Sequence, residues 1–140
     1  MRKINKIIIH CSATPENKHF TVEDITKWHK ERGFITIGYH YVIYLDGSVH
    51  LGRNLQEQGA HCTGQNKYSI GVCYIGGVSS DGKTAKDTRT DEQKKALISL
   101  VKSLMKKYDL VSSQVYGHYH FAKKACPSFN VEDFRKLLDE

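Results

Sequence analysis

The chain has 140 residues, 39% of them hydrophobic and 26% charged, with 21 lysines and arginines against 15 aspartates and glutamates for a net charge of +6. That length suits one domain with a buried core, and the composition excludes a disordered, collagenous or low-complexity chain. No apolar run approaches the roughly 20 residues that a membrane-spanning helix needs, and the basic excess favours encounter with an anionic partner such as nucleic acid or an anionic cell wall.

The first predicted element is a buried strand from Ile4 to Cys11, rich in β-branched residues. Its apolar stretch is too short for a secretory signal, so the chain reads as made in the cytoplasm. A loop follows from Ser12 to Asn17. Thr21 and Asp24 then have the form of a capping box, opening a helix that runs through Trp28 and His29 to Arg32 and stops at Gly33. Tyr39 to Tyr44 and Ser48 to Leu51, on either side of Asp46-Gly47, predict a hairpin. Ser69 to Ile75 is an apolar strand ended by Gly76-Gly77. The polar stretch from Val78 to Arg89 reads as a surface loop, with a turn at Ser80-Asp81-Gly82-Lys83. Thr90 and Gln93 repeat the capping form ahead of a helix whose Leu97, Leu100, Val101, Leu104 and Tyr108 recur at helical spacing. Val115 to His118 is the last predicted strand, and Asn130 opens a short C-terminal helix carrying Phe134, Leu137 and Leu138. This order predicts an α/β fold over 1–140: a single domain with a central mixed β-sheet flanked by helices on both faces.

Four cysteines are widely spaced and form no Cys-x-x-Cys pair, which argues against a disulfide framework. Cys11 and Cys73 read as small buried apolar groups, and Cys62 stays open. Of eight histidines, His10 ends the first strand and His118 the last, with Cys126 eight positions later in a loop closed by Pro127. Strand ends and the loops leaving them are where α/β sheets place their sites. Two imidazoles and a thiolate leave one position of a tetrahedral zinc open, as in catalytic rather than structural sites. His120 would share a strand face with His118, so the residues themselves leave either one as the second imidazole. His40 reads as a structural neighbour of Tyr39, His29 with Trp28 as helix packing, and His19 and His50 as surface groups.

Four ordered segments carry a family resemblance: Ile-Ile-Ile-His10-Cys11-Ser12-Ala13-Thr14; Gly38-Tyr39-His40-Tyr41; Ser69-Ile70-Gly71-Val72-Cys73 with Gly76-Gly77; and Lys124-Ala125-Cys126-Pro127-Ser128-Phe129. Together they resemble the type 2 N-acetylmuramoyl-L-alanine amidases, whose superfamily includes a phage lysozyme that is an amidase and the animal peptidoglycan recognition proteins. The likeness spans Ile7 to about Phe134. It implies an enzyme that cuts the amide between N-acetylmuramic acid and the L-alanine of the peptidoglycan stem, with one zinc ion held by His10, His118 and Cys126. It selects His118 over His120 by the spacing to Cys126. It also implies catalytic roles for Tyr39 and Lys124, and a substrate contact for His61 in the Gly59-Ala60-His61 stretch. A monomer acting on bacterial peptidoglycan is expected, with neither a membrane span nor a nucleic-acid partner. Three alternatives remain: a module that binds peptidoglycan without cutting it, a regulator that binds RNA polymerase, and a cysteine hydrolase using Cys126 with His118 as base.

Overall fold

The computed structural model describes residues 2–140. Along the chain run β1 (Lys6–Cys11), β2 (Thr14–Pro15), α1 (Val22–Glu31), β3 (Tyr41–Ile43), β4 (Val49–Leu51), β5 (Ser69–Tyr74), β6 (Gly77–Val78), α2 (Asp91–Tyr108), β7 (Val115–Gly117) and α3 (Val131–Leu138). Five strands form the main sheet in the order β4-β3-β5-β1-β7, and β2 pairs with β6 in a separate two-stranded sheet. In the main sheet only the β3–β4 pair is antiparallel; β1 runs parallel to both β5 and β7, and β3 parallel to β5. The sheet is therefore mixed, as expected, with its C-terminal strand ends gathered along one edge.

Local chemistry accounts for the helix starts. The Thr21 hydroxyl accepts from the Asp24 N–H while the Asp24 carboxylate accepts from the Thr21 N–H, and Thr90 with Gln93 repeats the arrangement at α2. Asn130 caps α3 by accepting from the Asp133 N–H at 3.0 Å. Gln93 does more than cap: fully buried, its side-chain amide donates to the carbonyls of Ile43 and Ile75, tying the start of α2 to the ends of β3 and β5.

The strand pleat sorts β1 onto two faces. Ile7, Ile9 and Cys11 join Val72 and Tyr74 of β5 in a core closed by Leu97, Val101 and Leu104 of α2 and Phe134 and Leu138 of α3. Fully burying each such aliphatic side chain contributes roughly 1.5–3 kcal/mol. The opposite face carries a smaller core, in which Ile25 of α1 packs with Ile37, Val42 and Ile75. Helices thus cover both faces, but α1 is short and leaves part of its face open.

Two expectations are adjusted. The segment after β5 is not loop throughout, since β6 pairs with β2 and Val78 bridges Ala85. The last strand stops at Gly117, and His118–His120 turns into a 3-10 helix. At three residues per turn, His118 and His120 no longer share a face. Among the described residues, no helix is long and apolar enough to cross a membrane.

Candidate active site

The site forms where β1 and β7 end on the face that α1 only partly covers. His10, the fifth residue of β1, points into this space and is 1% exposed. His118 follows directly on β7, and its ring centroid lies 4.5 Å from that of His10. The loop after it brings in Cys126, whose sulfur lies 3.9 Å from His10 Nδ1 and accepts from the Cys11 N–H at 3.2 Å. One ligating atom from each of His10, His118 and Cys126 can be chosen so that all lie within 4.8 Å of one another, a group that could hold a metal ion.

The surroundings suit a cation. Burial, together with any positive charge on His61, His118 and Lys124, holds His10 well below the usual imidazole range. His118 is lowered in the same way by burial and by Lys124. Both rings are therefore neutral near pH 7, with lone pairs free to ligate. Hydrogen bonding with Cys11 and burial push the Cys126 thiol up, so its thiolate needs a cation beside it. Two neutral imidazoles and one thiolate fit zinc by donor chemistry, and three protein donors leave room for a further ligand.

Tyr39 stands beside this group, its ring centroid 5.1 Å from that of His10. Burial first, then the neighbouring cysteines, raise its phenol well above the ordinary value, so it stays a protonated donor. Behind it, His29 Nδ1 accepts from the Gly38 N–H at 2.9 Å, and its ring lies 5.2 Å from Tyr39. His29 therefore holds the Gly38-Tyr39 segment in place. His40 is also structural: Nδ1 accepts from the Gly71 N–H at 3.0 Å and Nε2 donates to the Glu57 carbonyl at 2.8 Å. His120 turns away and accepts from the Gly117 N–H at 3.0 Å.

Arg32, Tyr39, His61, His118, Lys124 and Cys126 are among the residues lining a cavity of about 430 Å³. A second cavity of about 280 Å³ adjoins it, and Lys124 and Cys126 line both. Cys126 and Lys124 thus form part of the wall of both spaces. Lys124 is exposed at this junction. A larger hollow of about 650 Å³ lies along α1 and contains none of these groups.

The structure thus draws His10, His118, Cys126, Tyr39, Lys124 and His61 to one place. The spacing of residues along the chain missed several contributors to it: the Cys11 N–H on the Cys126 sulfur, the cavity lining by Arg32 and Phe34, and Ser69 behind His61. Only the strand pleat could have hinted at Ser69, which shares a β5 face with Gly71 and Cys73. All four cysteines are free thiols, and Cys62 is buried against the same cavity.

The chain resembles known proteins over most of its length. The family model described as N-acetylmuramoyl-L-alanine amidase matches residues 1–129. The endolysin of Escherichia phage T7 is 40% identical over 126 residues, covering 90% of this chain and 82% of that protein. Peptidoglycan-recognition protein SC2 of Drosophila melanogaster is 30% identical over 112 residues, covering 79% of this chain and 58% of that one. Among solved structures, the N-acetylmuramoyl-L-alanine amidase LysC from Clostridium intestinale URNW superimposes with a TM-score of 0.84 at 28% identity, covering 99% of this chain and 87% of that one. The chain belongs to the N-acetylmuramoyl-L-alanine amidase family.

Proposed function

We propose that the domain spanning 1–140 is a zinc-dependent amidase that hydrolyses the bond between N-acetylmuramic acid and L-alanine in bacterial peptidoglycan. The observation that carries this reading is the convergence of His10, His118 and Cys126, whose ligating atoms lie within 4.8 Å of one another beside Tyr39 in a cavity of an amidase-family chain.

His10, His118 and Cys126 would hold the ion. When bound, zinc supplies a Lewis acid that activates water near neutral pH and polarises the scissile carbonyl. The chain's own groups do the rest. Tyr39 keeps its proton and offers an O–H to the carbonyl oxygen as negative charge builds there. Lys124, which lines both cavities, would offer a positive charge to the same oxygen or to the leaving group. Two cavities that share Cys126 and Lys124 in their walls would suit a substrate extending beyond the cut bond. The basic net charge favours approach to an anionic wall. The protein would act as a monomer on the cell wall.

A cysteine hydrolase gains little from this geometry. Cys126 is raised rather than activated, and the nearby imidazoles are depressed, which makes them weak bases. Incubation with purified peptidoglycan and mass spectrometry of the products tests the proposal. Free stem peptides should appear, should vanish with a chelator and should return with added zinc. Intact muropeptides with the protein bound would leave a recognition module instead. A pull-down that retained RNA polymerase without any wall cleavage would favour the regulator.

A further inference from the structure

His61 was expected at the substrate, and while it lines the cavity, its ring nitrogens also meet the protein. It is 8% exposed, and both ring nitrogens have partners: Nδ1 lies 2.9 Å from His10 Nε2, and Nε2 lies 3.2 Å from the Ser69 hydroxyl. Ser69 is fully buried. The ring is slotted against backbone, since a Cβ on Gly71 would stand 2.6 Å from its Cγ and Cδ2, and one on Gly59 2.7 Å from Cδ2. The loop carrying it is pinned as well, because the N–H groups of His61 and Cys62 both donate to the Asn66 side-chain oxygen. Gly59, Asn66, Ser69 and Gly71 thus all meet the His61 ring or its backbone.

The geometry points to His61 as a positioning residue for His10. A buried series Ser69–His61–His10 would fix the tautomer and ring plane of the imidazole that meets the metal. This inference rests on the zinc reading above. His10 Nδ1 is the nitrogen that faces the Cys126 sulfur, so as a ligand it must give up its lone pair there, which leaves the proton on Nε2. That N–H donates to His61 Nδ1. His61 then carries its own proton on Nε2 and donates to the Ser69 oxygen. One choice at the metal sets every proton along the series. The partner is an imidazole rather than a carboxylate, so it orients His10 without adding negative charge to the site. Partners of this kind are worth roughly 10–100-fold in metal affinity.

The test uses the full chain and measures zinc affinity by chelator competition, together with the visible spectrum of the cobalt(II) form. His61→Leu keeps bulk but accepts no hydrogen bond. It should bind zinc roughly 10–100-fold more weakly and show an altered cobalt spectrum. His61→Asn places a carbonyl oxygen near the former Nδ1 and should recover most of both. Wild-type affinity and spectrum in a folded His61→Leu, or a His61→Asn as impaired as His61→Leu, would overturn the inference. Should His61→Leu not fold, Ser69→Ala carries the test, because it deletes one oxygen. A several-fold loss of zinc affinity in Ser69→Ala supports the series, and an unchanged affinity rejects it. A wild-type chain that holds no zinc at all removes the metal reading and this inference together. Tight zinc in the wild type with no response in the variants removes only the role of His61.

Discussion

The two faces of β1 make different use of one strand. Toward α2 and α3, Ile7 and Ile9 enter an almost wholly apolar core with Leu97, Val101 and Phe134. Toward α1, the same strand presents His10, and buried His29, His40 and His61 gather around it. The pleat separates stability from chemistry by a single residue, so a one-residue slip in register would exchange them. The polar face is tolerable because its partners are supplied in place: His29 accepts from Gly38, His40 from Gly71, and His61 is held between His10 and Ser69. One face holds the fold together, and the other is organised by hydrogen bonds around a gap that α1 leaves uncovered.

That contrast can be broken deliberately. The largest effect belongs to the ligand set. Cys126→Ser or His118→Ala should lose zinc and hydrolysis together, by metal analysis and wall-digestion assay, while the apo fold persists by circular dichroism. Next come Tyr39→Phe and Lys124→Ala, which should slow hydrolysis roughly 10²–10³-fold with zinc content unchanged. A variant that lost both would place that residue in the metal site rather than at the reacting oxygen.

On the other face the pattern reverses. Leu97→Ala should cost roughly 2–5 kcal/mol by urea unfolding, yet leave activity per folded molecule near that of the parent. Acid should act through the polar face. Burial, with Arg32 and Arg53 close to His29 and Arg2 and Arg53 close to His40, lowers both histidines from 6.5 to about 4. Between those values the unfolded chain binds more protons than the folded one. The stability they lend is therefore complete above pH 6.5 and lost as pH falls toward 4, at up to about 1.4 kcal/mol per pH unit for each. Urea midpoints at pH 7.5 and pH 5, taken with a chelator present so that metal release plays no part, check the sign. The smallest effect is at a cap: Thr90→Ala should cost about 1 kcal/mol and nothing in activity.

What could be read from the sequence follows the range of the forces involved. Helix starts at Thr21 and Thr90 were legible because a capping box closes within four residues. The strands β1 and β5 were legible from their β-branched runs, and the helices on both faces followed from the order of elements. The paired β2 and β6 were not, because two-residue strands carry no period. The turn of His118–His120 out of the strand was equally hidden, which is why His120 stayed open as a ligand from residue spacing alone. His10, His118 and Cys126 were nominated by strand ends and resemblance, and the structure brings them together. The partners of His61 depend on the β1–β5 register, which sets Lys6 against Ser69 and Ile8 against Gly71. No local pattern encodes that register, so the residues alone could not show that the ring of His61 also meets His10 and Ser69.

Everything at the site turns on whether His10 shares one ion with His118 and Cys126, which lie more than a hundred residues further along the chain. Zinc quantified in the purified chain by elemental mass spectrometry, beside the Cys126→Ser variant, addresses this directly. One zinc per wild-type chain and almost none in the variant is the expected outcome. A wild-type chain without zinc that still cuts peptidoglycan, or a variant that keeps its full zinc complement, would contradict it.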